Sequence, residues 1–301
     1  MELDNIGLVL EGGGMRGAYT AGVLDYLMRQ KVKFPYVIGV SAGANNGADY
    51  VSGQRERNRK VFVDIVDDDR YCGFKNLIKE GSYFGMEFLF KKLPNHIVPF
   101  DFEAFEKSPI TFKVVVTNCE TGETEYFDKD NFNSKTFGED VLMASSSIPV
   151  LSKPVEINGN KYFDGGVTDP IPLKKARDDG YKHNVLILTK HKEFRLKKKR
   201  SRAIFRLLLR DCPKIVKKLK KRPSIYNNCI EWINKLEKEG EIFVFRPQKK
   251  TEVGSLNNDP DDLQMLFEEG IFETKQRFAE FKEWVEQINS QKINNNKKEM
   301  V

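Results

Sequence analysis

Short apolar runs alternate with amphipathic segments along the first part of the chain. The apolar run at 6–10 precedes a segment, 18–29, in which apolar residues recur every three or four positions. A second apolar run, 36–38, precedes a segment of small residues. Short apolar runs of this kind predict strands, and the wider spacing predicts helices. The alternation from 6 to 53 therefore predicts a parallel sheet with helices on both faces.

The rest of the chain predicts a continuation of this core and a helical extension. Residues 112–127 are typical of two strands joined by a hairpin, and 185–189 of a further strand. We expect an α/β fold of three layers, a central and mostly parallel sheet flanked by helices, over residues 5–190. A C-terminal extension, 191–289, should add a basic helical segment, a last strand and a long helix packed on the core. Residues 290–301 are rich in Asn and Lys and predict a disordered tail.

The extension begins with a strong concentration of positive charge. Residues 192–222 contain fifteen Lys and Arg against Glu193 and Asp211, a net charge of +13 in a chain whose total is +6. Apolar residues spaced three or four apart run through the same segment: Ile204, Phe205, Leu208, Leu209, Cys212, Ile215, Val216 and Leu219. This pattern predicts a basic amphipathic helix. It fits equally a helix that lies on an anionic membrane and one that packs its apolar stripe on the domain. Nucleic acid is a weaker alternative, because aromatic residues are scarce there.

A serine between glycines follows the second predicted strand. The pentapeptide G-V-S-A-G occupies residues 39–43 and leads into a predicted helix. Strand, sharp turn and helix make a nucleophile elbow, which exposes the serine hydroxyl at its apex. Gly39 and Gly43 leave room where a side chain would crowd this turn. Ser41 is therefore the candidate nucleophile of an acyl hydrolase.

A glycine-rich loop follows the first predicted strand. It contains Gly12, Gly13, Gly14, Met15 and Arg16. Glycines let successive backbone N–H groups turn toward one point, where they hold a phosphate or the oxyanion of a tetrahedral intermediate. The dinucleotide alternative needs an acidic residue about 20 positions further on, after a second strand. That second strand ends at Ser41 instead, which favours an oxyanion hole.

A third motif, F-D-G-G at 163–166, offers a carboxylate. Gly165 and Gly166 allow the backbone to aim Asp164 inward. The same residues also fit an ordinary hairpin turn, in which Asp-Gly is a common pair. On its own, the motif leaves both interpretations open.

In this order the three motifs resemble the patatin-like phospholipase family, and within it the bacterial type. The resemblance includes D-G-G-V-T-D-P-I-P at 164–172 and extends over residues 5–190. It implies a Ser–Asp dyad, with Ser41 as nucleophile and Asp164 as proton acceptor, and an oxyanion hole from the backbone of residues 12–16. It also implies hydrolysis of acyl esters of phospholipids or lysophospholipids through an acyl-enzyme, without a cofactor.

Other functions remain open at this stage. A Ser–Asp–His triad would need His183 or His191, but both flank the predicted strand at 185–189, and His96 lies in a predicted loop. A soluble carboxylesterase or thioesterase could use the same dyad. A non-catalytic membrane- or nucleic-acid-binding protein could act through 192–222. The aromatic stretch 83–90 either packs a helix on the core, which we favour, or lines an acyl-chain groove.

Composition points to an intracellular enzyme. No apolar run approaches the length of roughly 20 residues that spans a bilayer. The start of the chain lacks the basic and apolar regions of a signal peptide. Cysteines 72, 119, 212 and 229 form no C-x-x-C and no zinc-type pattern. We therefore expect a cytoplasmic, metal-free protein with peripheral contact at the inner face of the membrane, and no nucleic-acid partner.

Overall fold

An eight-stranded sheet forms the centre of the fold. The computed structural model describes residues 1, 3–197 and 208–299, with side chains as far as 290. The strands are β1 (Ile6–Leu10), β2 (Tyr36–Gly39), β3 (Thr111–Asn118), β4 (Thr124–Asp128), β5 (Val155–Ile157), β6 (Asn160–Asp164), β7 (His183–Ile187) and β8 (Ile242–Phe245). Their order is β5-β6-β3-β2-β1-β7-β8, and β4 also pairs with β3.

Five neighbouring strands are parallel and the rest are antiparallel. The pairs β3–β2, β2–β1, β1–β7 and β7–β8 are parallel, whereas β4, β5 and β6 form antiparallel pairs at one side. Every residue of β1 and β2 is buried, as the apolar runs at 6–10 and 36–38 predict for strands covered on both faces. The expected mostly parallel α/β sheet is confirmed.

Helices cover both faces of the sheet. They are α1 (Gly17–Arg29), α2 (Ala42–Val51), α3 (Arg55–Arg59), α4 (Phe74–Lys79), α5 (Phe102–Lys107), α6 (Ser134–Thr136), α7 (Leu142–Ser146), α8 (Leu173–Asp178), α9 (Pro213–Lys238) and α10 (Pro260–Glu299). Leu8 of β1 shares one core with α1 and α10, while its neighbour Val9 shares the other with α8 and α9. The fold therefore has three layers.

The basic segment differs from a helix lying flat on a membrane. Within its described part, Leu209, Cys212, Ile215 and Val216 are buried against Phe163 and its neighbours, and only Leu208 is well exposed. Ile204 and Phe205 lie outside the described residues. From 209 onward the apolar stripe therefore packs on the protein, which was one of the two interpretations that the pattern allowed.

The C-terminal part contains two long helices that both begin at a proline. Helix α9 begins at Pro213, where a proline needs no amide partner, and α10 begins at Pro260 in the same way. Helix α10 continues to Glu299, so the tail that was expected to be disordered from 290 is helical up to that residue.

Helices in the described ranges lack the combination of length and apolar character that crossing a membrane requires.

Helix α1 and helix α10 approach each other through glycines. A Cβ atom at Gly22 of α1 would lie 2.0 Å from the carbonyl oxygen of Phe267, and one at Gly270 of α10 would lie 2.4 Å from that of Tyr19. The two backbones are thus in direct contact. This contact fixes α1, and with it the loop that precedes α1, against the C-terminal helix.

We predict that Gly22→Ala lowers the free energy of unfolding by about 1–3 kcal/mol, because the added methyl group forces the helices apart. Gly254→Ala is the matched control, since a Cβ there meets no atom within 4 Å. Urea denaturation measures both variants. If Gly22→Ala is as stable as Gly254→Ala, the helices do not pack as closely as described.

Candidate active site

Ser41 occupies a strained turn between β2 and α2. Its backbone has φ 56° and ψ −128°, a conformation that costs a non-glycine residue on the order of 1–3 kcal/mol. The Ser41 amide donates to Ser145 Oγ at 2.9 Å, and the Ser145 hydroxyl donates to the Val115 carbonyl at 2.8 Å. The turn is thus tied to α7 and β3. This is the nucleophile-elbow geometry that the pentapeptide predicts.

The glycine loop, residues 11–17, lies directly against the serine turn, residues 39–43. A Cβ at Gly43 would lie 2.6 Å from the carbonyl oxygens of Leu10 and Glu11, and one at Gly12 would lie 3.1 Å from that of Val40. A side chain at Gly43 would collide with backbone, so this approach requires glycine there, whereas a Cβ at Gly12 would make only a tight contact. Parallel pairing of β1 with β2 brings the two segments to the same edge of the sheet.

Two amides of the glycine loop are already engaged. Met15 N–H donates to the Ser255 carbonyl at 3.2 Å, and Gly12 N–H makes a long contact of 3.4 Å with the Pro170 carbonyl. The amides of Gly13 and Gly14 meet no backbone acceptor among the described residues. The oxyanion hole expected from the backbone of residues 12–16 stays a prediction, and within it the amides of Gly12 and Met15 already have acceptors. Gly13 and Gly14 are the candidates left free.

The register of the sheet brings Asp164 to the serine turn. Gly39 of β2 pairs with Val114 of β3, and Asp164 of β6 pairs with Val116, two residues further along the same strand. Ser41 follows Gly39 by two residues, just as Val116 follows Val114. Asp164, the partner of Val116, therefore lies at the level of Ser41 along the sheet. A Cβ at Gly165 would lie 2.3 Å from the Val115 carbonyl, so glycine is needed to turn the chain there.

Asp164 lies beside the candidate nucleophile. Its carboxylate accepts from Gly166 N–H at 2.7 Å, and the Ser41 hydroxyl is a second donor group close enough to lower its pKa. Ser41 and Asp164 are each 7% exposed. Burial raises the pKa of Asp164 to about 6, although these two donors and the positive charge of Arg222 pull it down. Such a carboxylate is a far better proton acceptor near neutral pH than an ordinary aspartate.

Arg222 of α9 holds the turn that follows Asp164. Its Nε donates to the Gly166 carbonyl at 2.5 Å, and its charge acts on Asp164. In the sequence, Arg222 is recognisable only as a member of the basic segment 192–222. Nothing in its local sequence marks it, because the contact is made across the fold by two segments far apart in the chain.

Arg16 and Lys190 surround a buried carboxylate behind the glycine loop. Glu11 is fully buried and accepts from Thr189 N–H at 2.6 Å and from Lys190 Nζ at 2.5 Å. Burial would raise the pKa of Glu11, but Lys190, Thr189 and Arg16 together hold it below its usual range. Arg16 has a buried Nε without a hydrogen-bond partner in the described residues, and its desolvation lowers its pKa. Glu11 thereby anchors the start of the loop to the end of β7.

The histidines have other contacts. His183 begins β7, pairs in register with Ile6 at the opposite end of β1 from the glycine loop, and lies 3.1 Å from the Glu241 carbonyl. The His191 ring packs edge-on to Phe194, and His96 is exposed. Neither histidine of the alternative triad is among the partners of Asp164 or Ser41.

An apolar pocket begins at Ser41. It is lined mainly by aromatic and aliphatic side chains of residues 57–102, including Phe62, Phe84, Met86, Leu89 and Phe90. Asp49 and Arg57, joined at 2.7 Å, contribute a buried ion pair to its wall. The stretch 83–90, for which we favoured core packing, therefore lines this pocket as well. Within the described residues, no group of three or more His, Cys, Asp or Glu is arranged to hold a metal ion.

The comparison with known families agrees with these motifs. Residues 8–177, more than half of the chain, match the profile of patatin-like phospholipases. The chain belongs to the patatin-like phospholipase family. Residues 212–286 match a second profile, a domain of unknown function (DUF6363), which includes Arg222 and Ser255.

Several curated proteins are related to this patatin-like chain. It is 31% identical over 186 residues to the uncharacterized protein YjjU of Escherichia coli (strain K12), covering 61% of this chain and 52% of that protein. It is 28% identical to the probable lipid hydrolase 463L of Invertebrate iridescent virus 6, covering 56% and 62%. It is 27% identical to lysophospholipase NTE1 of Candida albicans, covering 61% of this chain and 13% of that one. The chain thus spans about half to three fifths of the first two relatives.

We predict that Ser145→Ala destabilises this patatin-like core by about 1–3 kcal/mol, because it leaves the buried Ser41 amide without an acceptor. Ser147→Ala is the control, since the Ser147 hydroxyl bonds only to the Met143 carbonyl of its own turn. Urea denaturation gives the stability, and hydrogen exchange at the Ser41 amide reports on the turn. Equal effects of the two substitutions would mean that Ser145 does not hold the turn.

Proposed function

We propose that this protein is a serine acyl hydrolase that cleaves acyl esters of phospholipids or lysophospholipids. The observation that carries the proposal is the placement of the buried Asp164 carboxylate beside Ser41, which occupies a strained turn. Ser41 also lines an apolar pocket, as an ester with a long acyl chain requires. Membership of the patatin-like phospholipase family agrees with this activity.

In the first half of the reaction, Ser41 Oγ attacks the ester carbonyl while its proton passes to Asp164. The amides of Gly13 and Gly14 stabilise the oxyanion that forms. Asp164 then returns the proton to the leaving alcohol, the C–O bond breaks, and the acyl group remains on Ser41.

In the second half, water replaces the alcohol. Asp164 accepts a proton from the attacking water, the same amides hold the second oxyanion, and the proton returns to Ser41 as the acid leaves. Ser41 and Asp164 are sufficient for every proton transfer, so the cycle needs neither histidine nor cofactor.

The same proposal includes contact with an anionic membrane through the described part of the 192–222 segment. Lys214, Lys217, Lys220 and Lys221 of α9 are exposed and have no ion-pair partner among the residues described. Since the apolar stripe packs on the protein from residue 209 onward, contact through α9 would be electrostatic and sensitive to salt. We place the protein in the cytoplasm, which agrees with four cysteines that are all free thiols.

The test is release of fatty acid from lysophosphatidylcholine, phosphatidylcholine and a short-chain ester. Asp164→Asn should lower kcat by about 10²–10⁴-fold on every substrate that is cleaved, because the proton acceptor is lost. Asp169→Asn is the matched control, a half-buried carboxylate five residues away that accepts a hydrogen bond from Tyr126. Full activity of Asp164→Asn would contradict the dyad. Cleavage of the short-chain ester alone would identify a soluble esterase instead.

The pH dependence should follow Asp164. Because the carboxylate must be ionised to accept a proton, and its pKa is about 6, kcat/KM should fall as the pH drops through about 6. Arg222→Met removes a charge that favours the ionised form, so the pKa of Asp164 should rise and the acid limb of the profile should move to higher pH.

Lys221→Met is the control for this shift. It removes one positive charge from the adjacent, exposed position of the same helix, where nothing contacts Asp164. The acid limb should stay in place. An equal shift in both variants would show that the overall charge of α9, rather than the contact of Arg222, sets the profile.

A further inference from the structure

Helix α4 carries two strongly exposed apolar side chains. Phe74 is 76% exposed and Ile78 is 87% exposed, the largest values for big apolar residues in the described part of the chain. They are four residues apart and so lie on one face of the helix. We call this pair the apolar tip. Removing two large apolar side chains from water is energetically favourable.

The apolar tip is held in place by the segments that flank it. Cys72 and Phe84 form an antiparallel bridge across the base of α4, and Gly73 N–H donates to the Tyr83 carbonyl at 2.8 Å. Tyr83 N–H in turn donates to the Leu151 carbonyl at 2.7 Å. The exposed pair therefore projects from a hydrogen-bonded base.

Aromatic contacts join the apolar tip to the pocket that begins at Ser41. The Phe74 ring meets Tyr83 edge-on with ring centres 6.0 Å apart, and Tyr83 meets Phe84 edge-on at 5.5 Å. Phe84 lines the pocket together with Ser41. A series of aromatic contacts thus links the exposed Phe74 to the wall of the pocket.

Lysines flank the same tip. Lys79 ends α4, and the Lys153 side chain lies over Gly81, two residues further along. Neither has an ion-pair partner in the described ranges. An apolar pair beside free ammonium groups suits a lipid surface, where apolar side chains enter the acyl region and lysines reach the phosphates.

We propose that the apolar tip, Phe74 and Ile78, inserts into the lipid surface from which the substrate is drawn. The inference rests on the proposed function, since it supplies the route by which an acyl chain passes from a bilayer along Tyr83 and Phe84 into the pocket. It differs from the electrostatic contact of α9, because insertion of apolar side chains needs no anionic lipid.

Binding is measured with the full chain carrying Ser41→Ala, by co-flotation with vesicles of phosphatidylcholine alone. The double variant Phe74→Ser/Ile78→Ser should bind roughly tenfold more weakly for each side chain removed, and the loss should persist in high salt. Met265→Ser/Phe272→Ser is the matched control. Its two residues are 69% and 59% exposed on α10 and should not matter.

Unchanged binding of the Phe74→Ser/Ile78→Ser variant, or an equal loss in the control, would overturn the proposal. A change of oligomeric state in size-exclusion chromatography, with vesicle binding intact, would overturn it in favour of a second copy as the occupant. When Phe74→Ser/Ile78→Ser is introduced into the protein that retains Ser41, hydrolysis of a monomeric short-chain ester should be unaffected. Hydrolysis of vesicle lipid should fall by the same factor as binding. If the unmodified protein cleaves no ester, the proposed function fails, yet the binding measurement still decides the role of the tip.

Discussion

The site depends on one constraint, the strained backbone of Ser41. A residue with φ of 56° returns to an ordinary conformation unless its surroundings hold it. Here the Ser41 amide is bound by Ser145, and the turn is pressed against the glycine loop at Gly12 and Gly43 without intervening side chains. The same contacts that hold the turn set Ser41 beside Asp164 and against the glycine loop. The contacts that maintain the strained backbone of Ser41 are therefore the same contacts that position its side chain.

The C-terminal part takes part in holding this arrangement. The Ser255 carbonyl fixes the Met15 amide of the glycine loop, Arg222 binds the turn after Asp164, and α10 packs backbone to backbone on α1. These contacts come from residues 212–286, which match a domain of unknown function. The region thus contacts both the glycine loop and the turn after Asp164 in the patatin-like core.

The parts of the site that depend on local sequence could be predicted. Gly39, Ser41 and Gly43 define a turn that few other sequences fit, and the apolar run before them marks the strand that carries it. The contact of Asp164 with Ser41 required the register across β3, which no local pattern specifies. The roles of Ser145 and Arg222 arise only in the folded chain, because their partners are distant in sequence.

The apolar stripe of the basic segment illustrates a second limit. Its spacing predicts a helix with one apolar face, but a core and a membrane select the same side chains. Only the fold decides, and it buries Ile215 and Val216 against Phe163. Conversely, Phe74 and Ile78 on the short helix α4 are the most exposed large apolar side chains of the described residues. Two residues are too few to form a periodic pattern that would predict this exposure from the sequence.

The most direct measurement of the central claim is labelling by a fluorophosphonate probe, which reacts with activated serines. The full chain and its Ser41→Ala variant are treated in parallel, and peptide mass spectrometry locates the adduct. The account predicts one adduct, on Ser41, and none in the variant. An unlabelled but well-folded protein, or an adduct on another serine, would contradict the assignment of Ser41 as the activated nucleophile.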